Sequence, residues 1–232
     1  MATGLRARRG ALAWLIAGAL ALAACGPGAG ERAQEHRRKG TALLREGQYA
    51  AAVGELQKAV ELDRDSAEAH TELGNAYRGL KQYDKAFEAY RAAKKVDRYV
   101  TRPHIENARA LIEAGQLDAA VDELNHVIEL DPKNLEAMLL LSRVSLTPRP
   151  LPGGGTGVPR ASLERAELNL ESAAQLAPDH LEVHHLLAQA REQGGQRDKA
   201  REAWGKVRAL AAARPDQATL AAEAAAAVDR LR

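Results

Sequence analysis

The sequence predicts an all-α protein, a solenoid of five stacked helix hairpins closed by one C-terminal capping helix. Three observations predict it. The chain is rich in Ala, Leu, Glu and Arg, all good helix formers, and only 3% of it is aromatic. Residues recur at an interval of 34: His36, His70 and His104; Gly40, Gly74 and Ala108; Ala52, Ala86 and Ala120. Gly47-Gln48 and Gly115-Gln116 stand 68 apart, twice that interval.

The repeats do not begin at Met1. Arg6, Arg8 and Arg9 precede 14 apolar or small residues, Ala11 to Ala24. That is short of the roughly 20 needed to span a bilayer as a helix, and a basic region followed by a short apolar run describes a secretory signal over residues 1–24. Leu22-Ala23-Ala24-Cys25 resembles the lipobox of bacterial lipoproteins, and Cys25 is the sole cysteine of the chain. The resemblance implies cleavage before Cys25 and its acylation, which anchors the chain to a membrane without spanning it. Gly26, where the family's inner-membrane proteins carry aspartate, implies the outer membrane, periplasmic face. Residues 25–32 then read as a short tether, reaching roughly 28 Å when extended.

Loss of the signal removes three arginines, so the formal charge of +2 becomes about −1. A nearly neutral chain with few aromatic residues has neither the charge nor the stacking surface of a nucleic-acid binder.

The stretch ELGNAYRGLKQYDKAFEAYRAA carries Leu73, Gly74 and Tyr77, then Ala86, Tyr90 and Ala93. With its period of 34 it resembles the tetratricopeptide repeat (TPR), two antiparallel helices per unit, which implies a right-handed superhelix. Small residues at Gly74 and Ala86 let the two helices approach, and Tyr77 and Tyr90 fill the space between. The units read as 33–66, 67–100, 101–134, 135–180 and 181–214, a solenoid over 33–214, with Pro132 and Pro178 in the family's closing position. The fourth unit is 12 residues longer than its neighbours, the surplus falling in LTPRPLPGGGTGVPR, 146–160. Its prolines favour extended polyproline geometry and its glycines resist helix, so the insert, near 147–159, is expected to leave the stack as a loop. Residues 215–232 form the cap, with Leu220, Ala224, Val228 and Leu231 along one side to cover the last repeat.

Few residues suggest chemistry. His36, His70, His104 and His184 stand where the family has tryptophan and read as packing wedges, too far apart in successive units to share a metal. His180 and His184 are spaced i, i+4 without an evident third ligand. With no phosphate loop or nucleophile elbow, the chain reads as a non-enzyme without metal or cofactor.

Binding is the expected activity. In this family the groove is lined by the first helices, and carrying that over selects Arg37, Leu44, Asn75, Arg78, Arg102, Ile105, Arg109, Ile112, Leu139, Arg143 and Leu146. Arginine beside Ile or Leu suits a peptide offering carboxylates and apolar anchors. The family's carboxylate clamp is not expected, because Thr41, Glu72 and Glu106 occupy its places. The overall plan resembles the type IV pilus pilotins, which implies an envelope partner, a secretin. A TPR adaptor for peptidoglycan enzymes or the outer-membrane protein assembly machinery shares the architecture, and a zinc-dependent or pH-gated protein using the histidines is a third possibility.

Overall fold

The computed structural model describes residues 28–151 and 153–232. The signal segment and Cys25 lie outside the described residues. The rest is an all-α solenoid of eleven helices in consecutive packed pairs. The hairpins are α1 (Ala29–Arg45) with α2 (Tyr49–Leu62), α3 (Ala67–Gly79) with α4 (Tyr83–Val96), α5 (Thr101–Glu113) with α6 (Leu117–Leu130), α7 (Leu135–Ser145) with α8 (Arg160–Leu176), and α9 (Leu181–Gln193) with α10 (Arg197–Ala212). A 3-10 turn at Pro215–Gln217 leads into α11 (Ala218–Arg230). Helix α1 starts inside the segment read as a tether, so only three residues separate Cys25 from the first helical one.

Each hairpin is built on one contact. The second helix contributes Leu56, Tyr90, Leu124, Leu170 or Trp204, all at most 3% exposed. The first helix answers at the matching place with Gly40, Gly74, Ala108, Ser142 or Ala188, all buried. A Cβ at Gly74 would lie 2.5 Å from the Tyr90 ring, and one at Gly40 would lie 2.5 Å from Leu56. The helices therefore approach as far as a small residue allows, and the large side chain fills the space. Tyr77 packs on Ala86 and Tyr90 of its own hairpin and also toward the first unit, where its hydroxyl accepts a hydrogen bond from Gln57 Nε2 at 2.9 Å.

Local signals set the ends of the helices. Ser66 accepts from the Ala69 amide at 3.1 Å and Asn134 from the Ala137 amide at 3.0 Å, N-caps in equivalent places. The turn inside the hairpin needs a left-handed residue, supplied by Gly47, Gly115 and Gly195 at φ +72° to +76°, and by Lys81 at φ 57°.

First helices also touch first helices, α1 with α3, α3 with α5 and α7 with α9, forming an inner tier. The stack ends differently on its two sides. Helix α11 closes one end, burying Ala224, Ala227 and Val228 against Leu181, Ala188, Trp204 and Val207, and Arg230 bonds Glu192 at 2.6 Å. At the other end Lys39 and Glu55 stand where the second unit buries Leu73 and Ala89 against the first. Lys39 pairs with Glu35 and Glu55 with Lys58.

The insert is not the polyproline loop expected. Arg149–Pro150 pairs antiparallel with Thr156–Gly157 as a two-stranded hairpin, β1 and β2, because Gly154 and Gly155 take positive φ and let the chain reverse. The Leu151 amide donates to the Gly155 carbonyl at 3.1 Å, and Arg149 pins the hairpin to Asp118 of α6 at 2.5 Å.

Gly74→Ala is expected to cost about 1–3 kcal/mol, because the enclosed Tyr90 ring cannot yield. Lys81→Gly is expected to be neutral or stabilising by up to about 1 kcal/mol, since it removes left-handed strain. Urea unfolding of the two variants checks both.

Candidate protein-binding surface

The inner tier carries the arginines selected from the sequence, but four of them already have partners. Arg37 on α1 reaches Glu72 on α3 at 3.3 Å, and Arg78 on α3 reaches Glu106 on α5 at 2.7 Å. Arg109 on α5 reaches Glu136 on α7 at 2.5 Å. Arg143 Nε donates to Glu182 on α9 at 2.6 Å. Each pair joins one unit's first helix to the next, so the series is a ladder along the inner face. The rungs differ in burial. Glu72 has a side chain 5% exposed and also accepts from Thr41 Oγ1 at 2.7 Å, whereas Glu136 is 51% exposed.

Arg102 is the exception. It is exposed, and it takes part in no ion pair among the described residues. Its place corresponds to Glu136 and Glu182, while Asn75 occupies the place of Arg109 and Arg143. Asn75 instead accepts from the Tyr90 hydroxyl at 2.7 Å. Burial in a crowded cluster beside Arg78 pushes the Tyr90 hydroxyl's pKa well above its usual value.

Two apolar members of the selected set do not line an open surface. Ile105 is 5% exposed and packs with Leu124, Val127 and Leu141. Leu146 is 8% exposed and packs with Leu163. Both are core, although the same places carry the ladder arginines Arg37 and Arg78 in the first two units. Leu44, Ile112 and Leu139 are half-buried. Glu72 and Glu106 place carboxylates where the carboxylate clamp would need neutral or cationic donors, so the inner face is built against that chemistry.

The four repeat histidines split into two kinds. His36 and His104 donate from Nδ1 to Glu55 and Glu123, at 2.8 and 2.7 Å, each nineteen residues on. At that offset His70 and His184 find Ala89 and Ala203, so their Nε2 atoms turn to the Arg64 and Pro178 carbonyls, at 3.0 and 2.7 Å. That contact commits the outward nitrogen of His184. No group of three or more His, Cys, Asp or Glu able to hold a metal occurs among the described residues, nor does a helix long and apolar enough to cross a membrane.

Comparison with known proteins agrees with this geometry. Models of the TPR repeat match residues 40–80, and models of the tetratricopeptide repeat match 67–99 and 108–134. These segments match tetratricopeptide repeats, and the solenoid shares its fold with tetratricopeptide proteins. A curated relative, the small glutamine-rich tetratricopeptide repeat-containing protein 2 of Mycosarcoma maydis, is 26% identical over 44% of this chain. The match spans 29% of that relative's length.

Among solved structures, MamA residues 41-end from Desulfovibrio magneticus RS-1 is 19% identical, with TM-score 0.65 over 80% of this chain and 98% of that one. PilF of Pseudomonas aeruginosa is 21% identical, with TM-score 0.63 over 87% and 92%. YrrB, described as a TPR protein with an unusual peptide-binding site, is 20% identical, with TM-score 0.61 over 82% and 89%. At these identities the likeness is one of fold.

Glu72→Ala is expected to cost about 1–3 kcal/mol, since it removes the carboxylate partner of Arg37 and one of the two acceptors of Thr41. Glu136→Ala is expected to cost less than about 0.5 kcal/mol, as for an exposed pair. Chemical denaturation separates them.

Glu123 gives a pH dependence. Burial alone raises its pKa, but hydrogen bonds from His104 and Lys94 outweigh that and hold it down to about 2. A depressed carboxylate contributes stability above its ordinary value of 4.5 and loses it as pH falls toward 2. Glu123→Gln is expected to flatten the fall in melting temperature across that window.

Proposed function

We propose that this protein is a membrane-tethered scaffold whose inner face holds a partner in the bacterial envelope, and that the partner is a type IV pilus secretin. The observation that carries the reading is the joining of a lipobox-like Cys25 to a closed TPR solenoid. Only three residues lie between them, so the first helix is held within about 14 Å of an acylated terminus. Acyl chains would fix the stack at the periplasmic face of the outer membrane, and secretin segments held on it would be concentrated where they assemble. The choice of a secretin over a peptidoglycan enzyme or the outer-membrane protein assembly machinery rests on the plan read from the sequence, a lipobox, a very short tether and five repeats.

The ladder shapes the recognition. With four arginines neutralised internally, the inner face offers Arg102, at the start of α5, as its free cation among the positions selected, with half-buried Ile112 at the far end of the same helix. A partner segment that pairs one carboxylate with apolar side chains fits this better than a strongly acidic tail.

Crosslinking in cells, followed by capture from solubilised outer membrane and mass spectrometry, tests the reading. A secretin is expected as the dominant product. Cys25→Ser should lose palmitate label and leave the membrane fraction, with secretin multimers falling in parallel. Arg102→Glu with Ile112→Asp should keep the anchor and lose the crosslink. Recovery of peptidoglycan enzymes or assembly-machinery subunits in place of a secretin would sink the choice of partner.

A further inference from the structure

The repeats serve as each other's controls, and one turn departs from the rest. Four turns join the second helix of one unit to the first helix of the next, at 63–66, 97–100, 131–134 and 177–180. Three of them share a backbone device, an aspartate Oδ1 that accepts from the amide two residues on: Asp63 from Asp65 at 3.2 Å, Asp97 from Tyr99 at 2.9 Å and Asp131 from Lys133 at 3.1 Å. The side chains carried on that common frame differ. Where the other turns end in Asp65-Ser66, Lys133-Asn134 and Asp179-His180, the turn between α4 and α5 ends in Tyr99-Val100.

Both residues are costly there. Ser66 and Asn134 cap the helices that follow them, whereas Val100 has no side-chain acceptor and α5 starts uncapped. Tyr99 is 65% exposed, Val96 39% and Val100 38%, so three of the six exposed large apolar side chains among the described residues fall within one short stretch. Arg98 lies over the Tyr99 ring, its guanidinium carbon 4.8 Å from the centroid, and its Nη2 donates to the hydroxyl at 2.6 Å.

Charge reverses at the same place. Lys95 stands where the adjoining units carry Glu61 and Glu129, and Arg102 where the second, fourth and fifth units carry Glu68, Glu136 and Glu182. Residues 95–102 hold three cations and one acid, a formal charge of +2, against −3 over 61–68, −2 over 129–136 and −2 over 175–182. Lys95, Arg98 and Arg102 are exposed and take part in no ion pair among the described residues.

We propose that this turn is a docking site for a partner-protein segment in which a large apolar side chain stands between carboxylates. The apolar side chain packs on the open part of the Tyr99 ring beside Val96 and Val100, and the carboxylates pair with Arg98 and Arg102. A bilayer fits less well. A flat anionic surface laid along the turns would also meet the acidic ones at 61–68 and 129–136, whereas a segment crossing at this turn meets only its cations. The site deepens the scaffold reading, on which it rests for the partner carboxylate at Arg102, and needs neither the anchor nor the secretin.

The test uses the purified full chain and three peptides: acetyl-Glu-Leu-Glu-amide, acetyl-Gln-Leu-Gln-amide and acetyl-Glu-Gly-Glu-amide. NMR titration with the first should move the Tyr99 ring and Val100 methyl signals together with the Arg98 and Arg102 side-chain N–H signals, at an affinity about tenfold above either control. Tyr99→Asp with Val100→Ser, the pair that the first turn carries, should abolish the response while raising the melting temperature through the cap it gains. Lys95→Glu with Arg102→Glu should lower the affinity to that of the uncharged peptide. Equal affinity for the three peptides, shifts confined to residues outside 95–102, or a response that survives Tyr99→Asp with Val100→Ser would each overturn the proposal. So would a gain in binding of the Cys25→Ser chain to phosphatidylcholine vesicles on adding phosphatidylglycerol, if the same double substitution removes it, because that would assign the turn to a lipid surface. The peptide titration involves no membrane or secretin, so its failure leaves the anchored-scaffold reading to its own experiment.

Discussion

A small residue facing a large one inside each hairpin is the contact on which the rest of the structure depends. Gly74 against Tyr90 shows it best, since an added Cβ would meet the ring at 2.5 Å. Close approach of the two helices turns each hairpin into a flat unit with two packing faces. Stacking those faces buries the alanines at 52, 86, 120, 166 and 200 completely. The inner tier and the ladder both follow from that regularity, because equivalent positions in successive units end up side by side.

The same regularity explains why a scaffold of this kind acquires sites by substitution. A position can be made polar in one unit without disturbing the others, because each unit contacts chiefly its neighbours. The junction of the second and third units has been altered on both of its sides. Inside, Asn75 and Arg102 stand in place of an arginine and glutamate rung. Outside, Asn107 and Lys94 stand where the adjoining units have leucine and valine or isoleucine, and Glu123 where the second and fifth units have alanine.

The hairpins were legible because their determinants repeat at a constant interval, and a residue such as Ala86 announces itself through Ala52 and Ala120. The ladder was not. Its rungs join residues 35, 28, 27 and 39 apart, so arginines that read as free groove cations turned out to be partnered. A sharper reading could have noticed that Glu72 and Glu106 are in register, as are Arg109 and Arg143. Ile105 and Leu146 are buried although the same places carry Arg37 and Arg78 on the inner face of the first two units, so a shared register did not say whether a position is open. The insert leaves the helices as expected, but prolines suggested only extension, whereas the positive φ of Gly154 and Gly155 lets it reverse into a short hairpin that Arg149 joins to Asp118, 31 residues earlier.

One end of the stack has a consequence for assembly. Lys39 and Glu55, where an interior unit has Leu73 and Ala89, make the first hairpin poorly suited to receive another repeat, since docking would strip water from two ion pairs. The opposite end is already occupied by α11. A repeat surface with two complementary open ends can add copies head to tail without limit and grow into fibres. This chain blocks that growth at both ends, so copies crowded on a surface would meet side by side, with their inner faces left open to other proteins.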